Sequence, residues 1–399
     1  VQAARYYFDR DLDTLSVAET LTLAVLVRAP SRLDPKRLLG AAGGAVQRLA
    51  VYLHTQGVVD RHALRAQPLT LSSSAIEVPA AHAVRHALAT AGAAQLVVRT
   101  SLHAETQTMA ERLLQQRLNE LRHRGARHGA VLVVDHQRGV IRAWVSGSAT
   151  GLAPSAIDAV LTPRQPGSTL KPFVYAMAMR KGWNAATMIE DAPYSQSVGQ
   201  GQHAYRNYSR VHYGAISMRN ALGNSLNVPA VKALASVGAA QMLQQLRRLG
   251  VRSLERSAEH YGDGLALGNG EVTLLELTGA YAALAHGGVY RPLQLLRDRA
   301  TTQPLRVIDA LDSAIIADIL ADPNARSLEF GSGGVLSLPN QTAVKTGTSN
   351  DHRDAWAIGF DHQHVVAVWM GDLQRRPMNR ITGASGPALV MRALFAQLN

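Results

Sequence analysis

Two strand-rich stretches, far apart in the chain, constrain the fold more than any other feature. The first, GAVLVVDHQRGVIRAWVSG (129–147), has two apolar, β-branched runs around a DHQRG turn, which predicts a β-hairpin. The second, 342–371, contains the runs TAVKTGTS, DAWAIGF and HVVAVWMG, separated by short turns. The residues between the two stretches are mostly patterned as helices. This order is satisfied by one sheet that joins the early and late strands around a helical insertion.

The predicted fold class is therefore α+β, with an antiparallel sheet packed by helices and an all-helical subdomain inserted between its strands. Apolar spacing predicts helices over 168–182, 215–250, 271–286 and 307–322. A strongly amphipathic helix is expected over 101–125, with acidic residues early and basic residues late, as the helix dipole favours. A last helix, GPALVMRALFAQLN, closes the chain.

The beginning of the chain is also predicted to be helical. In LSVAETLTLAVLVRAP, Ser16 is placed as an N-cap and Glu19 as its capping-box partner, with a stop at Pro30. The Ala-, His- and Ser-rich residues 60–98 are typical of a connecting region.

The composition indicates a folded protein and narrows its chemistry. Of 399 residues, 47% are hydrophobic and 18% charged, which argues against disorder. The chain has no cysteine, so disulfides, thiolate metal sites and a cysteine nucleophile are excluded. A net charge of +12 favours anionic partners. Because the arginines are scattered and aromatics are only 5%, we interpret this charge as a solvated basic surface and expect no nucleic-acid partner.

The stretch RQPGSTLKPF places Ser168 three residues before Lys171, at the head of a predicted helix. Positions i and i+3 share a helix face, so the two side chains can meet. Only five of the 41 Lys and Arg residues are lysines, and a buried lysine with a lowered pKa can accept a serine proton. The competing interpretation is a serine N-cap followed by an exposed lysine, which a lone S-x-x-K would favour.

Two later motifs favour the interpretation of Ser168 and Lys171 as nucleophile and base over the N-cap interpretation. In GNSLNVPAV, Ser225 and Asn227 form S-x-N at the head of a helix; alone, it would be read as an ordinary cap. In AVKTGTS, a strand run ends with Lys345, Thr346, Gly347 and Thr348, where the glycine permits close backbone approach and the lysine and hydroxyls can hold a carboxylate. S-x-x-K, S-x-N and K-T-G in this order are the signature of penicillin-binding proteins and serine β-lactamases.

Over 95–399 the chain resembles the class A penicillin-binding proteins, and one subgroup of that family in particular. The resemblance is carried by IDAVLTPRQPGSTLKPFVYA, by YRNYSRVHYGAISMRNALGNSLNVPAVKAL and by KTGTSNDHRDAWAIGF. The stretch QAARYYFDRDLDTLSVAETLTLAVLVRAPSRLDP resembles the last part of the family's glycosyltransferase domain. The predicted organisation is a glycosyltransferase remnant over 1–50, a linker over 51–98 and a transpeptidase domain over 99–399.

The resemblance implies a peptidoglycan D,D-transpeptidase acting on stem peptides that end in D-Ala-D-Ala. Ser168 would attack the penultimate carbonyl with Lys171 as base, and the backbone N–H groups of Ser168 and Thr348 would form the oxyanion hole. Ser225 would pass the proton to the leaving D-Ala. An amine of a neighbouring stem peptide would then take the acyl group.

The substrate-binding residues implied by the resemblance are Asn227, which would orient the peptide, and the K-T-G-T segment. There, Lys345, Thr346 and Thr348 would bind the terminal carboxylate beside Gly347. Lys345 would also keep Lys171 neutral by like charge. The expected ligands are stem peptides and β-lactam antibiotics, with no metal or organic cofactor. The resemblance implies a place on the periplasmic face of the bacterial inner membrane, in a parent protein whose membrane anchor precedes this chain and which can meet other envelope proteins.

Three alternatives stay open at this stage. Hydrolysis of the acyl-enzyme by water would make the chain a D-Ala-D-Ala carboxypeptidase or a β-lactamase-like hydrolase. A non-catalytic muropeptide-binding envelope scaffold is the alternative from another class. A metal site at His362 and His364 of DHQH is weighed against a solvated hairpin turn, and the turn is favoured. The first residue is Val1, and we expect the chain to be a fragment without glycosyl-transfer activity.

Overall fold

The computed structural model describes residues 2–37, 40, 42–60, 62, 69–72, 80–92, 97–152, 155–198, 201–297, 303–338 and 341–398. The chain divides into two compact units, Val1–Ala81 and His82–Asn399. This division falls inside the predicted linker 51–98, parts of which lie outside the described residues. None of the described helices is both long and apolar enough to cross a membrane.

The first unit is helical where it is described. Its helices are α1 (Gln2–Phe8), α2 (Val17–Leu26), α3 (Pro30–Leu33) and α4 (Gly43–Thr55). The predicted capping box is confirmed, because the Ser16 side chain accepts from the Glu19 N–H and the Glu19 carboxylate accepts from the Ser16 N–H. Helix α2 ends before the predicted stop, and Pro30 instead opens α3, where its missing N–H is tolerated.

The second unit contains the sheet and most of the helices. Its helices are α5 (Ala81–Thr90), α6 (Ala104–Leu121), α7 (Lys171–Met179), α8 (Met218–Gly223), α9 (Asn227–Val237), α10 (Ala239–Arg248), α11 (Ala258–Tyr261), α12 (Leu274–Ala285), α13 (Ala310–Ala321), α14 (Ser327–Phe330) and α15 (Pro387–Leu398). Its strands are β1 (His128–Asp135), β2 (Val140–Ser148), β3 (Met188–Asp191), β4 (Tyr194–Val198), β5 (Gly201–Tyr205), β6 (Gly214–Ser217), β7 (Val289–Tyr290), β8 (Leu305–Arg306), β9 (Ala343–Thr348), β10 (Asp354–Phe360) and β11 (His364–Gly371).

The central sheet joins the early and late strands, as the sequence predicts. Its order is β2-β1-β11-β10-β9, and every neighbouring pair is antiparallel. The register pairs Val131 of β1 with Val368 of β11, although the chain between them holds most of the unit. The α+β prediction with an antiparallel sheet is confirmed.

The region inserted between β2 and β9 is mostly helical but not entirely so. It also contains three two-stranded pairs, β3 with β6, β4 with β5 and β7 with β8. These strands have two to five residues, too few for an alternating pattern to stand out in a sequence.

Helices cover the sheet and form its core. Helices α6 and α15 pack on one face, where Leu114, Leu118 and Phe395 meet inward residues such as Val131 and Val366. Helix α12 contacts β1, β10 and β11, and so covers the opposite face, to which alternate strand residues point. Because both faces are covered, β10 and β11 are buried along their whole length.

The packing of α6 gives a stability prediction. Leu114 is 1% exposed and lies in this core, so Leu114→Ala is expected to destabilise the second unit by about 2 to 5 kcal/mol through lost burial and a residual cavity. The matched control on the same helix is the exposed Gln116→Ala, which should change stability by no more than about 0.5 kcal/mol. Denaturant unfolding followed by tryptophan fluorescence measures both, and equal effects would contradict the core assignment.

Candidate active site

The S-x-x-K segment forms a 3₁₀ turn that runs directly into a helix. Gly167–Leu170 is the turn and Lys171 begins α7. Side chains at i and i+3 eclipse in a 3₁₀ turn, so Ser168 and Lys171 lie on the same face. The Tyr281 hydroxyl donates to the Thr169 carbonyl at 2.7 Å and holds the turn from α12. Lys171 is completely buried, which excludes the exposed-lysine interpretation.

This turn packs backbone to backbone against β9. Gly167 has a φ of +56°, and a Cβ on it would lie 2.7 Å from the Thr348 carbonyl oxygen and 2.8 Å from the Thr348 nitrogen. A Cβ on Gly347 would meet the carbonyl oxygen of Pro166. Only glycine permits both approaches, because any other side chain would separate turn and strand. The glycine of the K-T-G motif therefore sets how close the serine comes to the strand.

Strand β9 presents backbone groups to that turn. The Ser349 N–H donates to the Asp354 carbonyl, so Ser349 and Asp354 are a hydrogen-bonded pair. Hydrogen-bonded and non-bonded pairs alternate in an antiparallel ladder, so the N–H of Thr348 points away from β10. It faces the outer edge of β9, beside Gly167 and Ser168.

The S-x-N segment forms the turn between α8 and α9. Ser225 has a φ of +59°, a left-handed conformation that is uncommon for serine, and Asn227 is the first residue of α9. The Asn207 side chain accepts from the N–H of Asn227 at 2.8 Å and donates to the Asp191 carboxylate at 2.8 and 3.0 Å. These contacts hold the turn in its strained conformation.

The hydrogen bonds of Lys171 define what its amine can do. Its Nζ donates to the carbonyl oxygen of Ser225 and, at 2.7 Å, to Oδ1 of Asn227. The orientation of the Asn227 amide is fixed, because its Nδ2 donates to the Arg206 carbonyl at 2.7 Å and a carbonyl can only accept. A neutral amine has two hydrogens and one lone pair. These two acceptors thus engage both hydrogens of a neutral amine and leave its lone pair unengaged.

Lys345 is engaged from the other side. Its Nζ donates to Oγ of Ser225 at 2.6 Å and to the carbonyl oxygen of Thr346 at 2.9 Å. Because Ser225 accepts from Lys345, its own hydroxyl hydrogen is free to be donated elsewhere. The two lysines therefore meet at Ser225, one at its carbonyl and one at its hydroxyl.

Burial lowers the pKa of both lysines. Burial, and then the neighbouring charge of Lys345, lower the pKa of Lys171 well below its usual value; Glu329 acts in the opposite sense. Burial and the positive charge of Arg326 lower the pKa of Lys345 to about 7. The neutral amine form of Lys171 is therefore favoured, and Lys345 titrates close to neutral pH.

A cleft of about 450 Å³ opens above these groups. Six of the eight residues predicted from the three motifs line it, namely Ser168, Ser225, Asn227, Thr346, Gly347 and Thr348. The two lysines lie beneath this lining. The Thr348 hydroxyl accepts from the Gly383 N–H at 3.1 Å, and the Ser168 hydroxyl makes no hydrogen bond to any described residue.

Sequence reasoning missed four residues that shape the site. Asn207 holds the turn of Asn227, Arg326 lies behind Lys345, and Asn224 and Glu329 form part of the cleft wall. Arg326 is 5% exposed and donates to the carbonyl groups of Leu320, Leu336 and Asp322. No residue pattern around these positions marks them, because each acts on a partner that the fold brings from elsewhere in the chain.

The DHQH turn lies away from this cleft, at the opposite end of the sheet. His362 is exposed and His364 is buried. Across the ranges that the structure describes, no three or more His, Cys, Asp or Glu side chains are grouped so that they could hold a metal ion.

Comparison with known sequences gives one family. The family described as "Penicillin binding protein transpeptidase domain" matches residues 129–378. The chain is 32% identical over 375 residues to penicillin-binding protein 1C of Escherichia coli (strain K12), covering 92% of this chain and 46% of that protein. It is 35% identical over 273 residues to penicillin-binding protein 1A of Neisseria meningitidis serogroup A, covering 63% of this chain and 33% of the relative. The chain thus spans less than half the length of these curated relatives.

Solved structures support the same fold. The crystal structure of penicillin-binding protein 1A from Haemophilus influenzae has a TM-score of 0.76 at 19% identity, covering 99% of this chain and 82% of that one. The PonA1 protein from Mycobacterium tuberculosis, solved in complex with penicillin V, has a TM-score of 0.62 at 20% identity, covering 75% of this chain and 84% of that one.

This chain belongs to the penicillin-binding protein transpeptidase family. The family resemblance predicted from the three motifs is confirmed, and the subgroup singled out by the sequence is the one named 1C. Serine-type transpeptidase chemistry is the chemistry of that family.

The close packing of Gly167 gives a prediction for the site. Gly167→Ala should destabilise the second unit and slow acylation of Ser168 by at least tenfold, because the new Cβ meets the Thr348 backbone and the φ of +56° strains any other residue. Labelling by a fluorescent penicillin measures the acylation rate. Gly139→Ala tests positive φ alone, since Gly139 has a φ of +70° with nothing within 4 Å of an added Cβ. A similar loss of acylation in both variants would contradict the steric explanation.

Arg326 gives a prediction about pH. Burial, and then the positive guanidinium of Arg326, lower the pKa of Lys345 to about 7. Lys345 therefore loses its positive charge as pH rises through about 7. Acylation by a donor with a free carboxylate should therefore decline above that pH in kcat/KM. Arg326→Gln removes the charge, raises the pKa of Lys345 and should move this decline to higher pH.

Arg326→Lys is the matched variant for this experiment, since it keeps the positive charge and should keep the decline near pH 7. Stopped-flow acylation over pH 5 to 10 compares the three proteins. An unchanged alkaline limb in Arg326→Gln would show that Lys345 does not control it.

Proposed function

We propose that this chain is a peptidoglycan D,D-transpeptidase that forms an acyl-enzyme on Ser168. The observation that carries the proposal is the hydrogen-bond arrangement of Lys171, whose bonds to Ser225 and Asn227 engage two N–H groups and leave the lone pair of a neutral amine available. Ser168 lies on the same face of the turn and is the proposed partner of that lone pair. The lowered pKa of that buried amine supports its role as the base.

Acylation begins when Ser168 Oγ attacks the penultimate carbonyl of a stem peptide ending in D-Ala-D-Ala. The C–O bond to Ser168 forms, and the C–N bond to the terminal D-Ala breaks. The serine proton passes to Lys171 and is returned through Ser225 to the leaving amine. The outward N–H of Thr348, together with the N–H of Ser168, stabilises the oxyanion in the transition state.

Substrate binding is assigned to the two walls of the cleft. Asn227 orients the peptide from the α9 side, with its amide held by Lys171. Lys345, Thr346 and Thr348 bind the terminal carboxylate from β9, where Gly347 permits the close approach of the turn that carries Ser168. Lys345 carries the charge, and the threonine hydroxyls line the cleft itself.

The proposed ligands are stem peptides, as donor and amine acceptor, and β-lactam antibiotics, which mimic the donor. The solved relative with bound penicillin V supports the second class of ligand. We assign the transpeptidase to residues 99–399, with 51–98 as a linker and 1–50 as the remnant of a glycosyltransferase domain. The envelope setting of the relatives supports a position on the periplasmic face of the inner membrane, in a membrane-anchored parent protein.

A labelled penicillin tests this function. A fluorescent penicillin should give a stable band on a denaturing gel over hours, and Ser168→Ala should abolish it without unfolding the chain, because the Ser168 hydroxyl bonds to no described residue. The control Ser236→Ala changes an exposed serine on α9 and should label normally.

The other outcomes of this experiment identify the alternatives. A band that fades within minutes would indicate a β-lactamase-like hydrolase, in which water releases the acyl group. No band from a folded chain would indicate a non-catalytic muropeptide-binding scaffold. A stable band that persists in Ser168→Ala would place the nucleophile elsewhere.

A further inference from the structure

Two carboxylates line the cleft that holds Ser168, and they differ in their surroundings. Asp351 is 68% exposed and pairs with Arg353 at 3.3 Å. Glu329 is only partly exposed, and its carboxylate accepts from the hydroxyls of Ser209 at 2.5 Å and Tyr213 at 3.1 Å. No basic side chain of the described residues forms an ion pair with Glu329. The cleft therefore contains one oriented carboxylate without a cation.

Glu329 is held on the same side of the cleft as Ser225. Its backbone N–H donates to Asn224 Oδ1 at 2.9 Å, and Asn224 Nδ2 donates to the Ala325 carbonyl at 2.8 Å. Asn224 immediately precedes Ser225, so the turn of the S-x-N motif and the segment carrying Glu329 are clamped together. In the proposed reaction Ser225 serves the leaving amine, which makes this the side from which an incoming amine must also arrive.

The negative charge of Glu329 acts on the amine of Lys171. Burial and Lys345 lower the pKa of Lys171, and Glu329 is the group that opposes them. Lys345 and Arg326 otherwise make this centre positive, and the whole chain carries a net charge of +12. A cationic ligand entering such a site is repelled unless a fixed negative charge compensates locally.

We propose that Glu329 binds the ammonium form of the acceptor amine and thereby favours transfer of the acyl group to an amine over its transfer to water. This inference rests on the proposed transpeptidase function and names the class of acceptor, a primary amine that is protonated in solution. The hydroxyls of Ser209 and Tyr213 both donate to Oε1 of this carboxylate and fix its position in the cleft wall.

The step balances as follows in atoms and protons. The bound ammonium loses one proton to solvent and becomes a free amine. Its nitrogen attacks the acyl carbon, the C–N bond forms, and the C–O bond to Ser168 breaks. A second proton of the amine is transferred to the serine oxygen, and the third stays on the new amide.

The test compares two acceptors of equal size and different charge. Ethylamine is an ammonium ion at neutral pH, whereas methoxyamine, with the same number of heavy atoms, is uncharged. The acyl-enzyme is formed from a D-alanyl thioester, and the products of aminolysis and hydrolysis are separated by chromatography. Glu329→Gln should raise the KM for ethylamine roughly five-fold, the size of one partly exposed ion pair, while the KM for methoxyamine stays the same.

Comparing the two acceptors within each protein removes any change that Glu329→Gln makes to Lys171, because that change affects both acceptors alike. Asp351→Asn is the matched control: it removes the same charge from the cleft, and asparagine tolerates the left-handed φ of +58° at this position. It should leave the preference for ethylamine over methoxyamine unchanged.

The inference is overturned if Glu329→Gln changes the KM values for ethylamine and methoxyamine equally, or changes neither. It is also overturned if Asp351→Asn reduces the preference for ethylamine over methoxyamine as much as Glu329→Gln does. A wild-type chain that forms no acyl-enzyme overturns the proposed function itself, and with it this inference. A chain that acylates and transfers to both amines with no charge preference leaves the proposed function intact and refutes the role of Glu329 alone.

Discussion

The burial of two lysine amines in one small volume is the interaction on which the rest of the site depends. Removing an ammonium group from water costs several kcal/mol even after the protein relaxes, and a second one nearby adds repulsion. The chain meets this cost by a lowered pKa at Lys171, which favours its neutral form, and by oxygen acceptors around Lys345. The surrounding helices bury the two amines. The left-handed turn at Ser225 and the close contact of Gly167 with Thr348 hold the groups around them in place. Stability is thus exchanged for a base that is ready at neutral pH.

The precision of the site comes from acceptors that cannot change role. A carbonyl oxygen only accepts, so the Arg206 carbonyl orients the amide of Asn227, and that amide orients Lys171 in turn. Asn207 and Asp191 extend this chain of fixed roles to the start of α9. The positions of Asn227 and Lys171 are thus fixed by hydrogen bonds whose donors and acceptors cannot be exchanged.

Local sequence was sufficient for the strands of the central sheet, for most of the longer helices and for the motif residues. The capping box of Ser16, the hairpin of β1 and β2, and the strand that ends in K-T-G-T each depend on residues a few positions apart, so spacing predicts them. The order of the three motifs then identified the family. Arg326 and Glu329 could not be predicted, because an arginine near carbonyl groups and a glutamate in a short helix have no distinctive pattern, and their roles arise only from what the fold brings beside them. The short strands of the insertion were missed for another reason, because two to five residues are too few to show an alternation of apolar and polar side chains.

Strand β9 lies at one edge of the described sheet, and the surroundings of that edge bear on aggregation. An unpaired edge exposes N–H and C=O groups that readily recruit strands from other molecules, a common start of aggregation. Here the groups at Thr346 and Thr348 lie inside the cleft, opposite the wall formed by Ser225 and Glu329. A strand of another molecule can pair with this edge only by entering the cleft. The walls of the cleft therefore also limit the access of other copies of the protein to this edge.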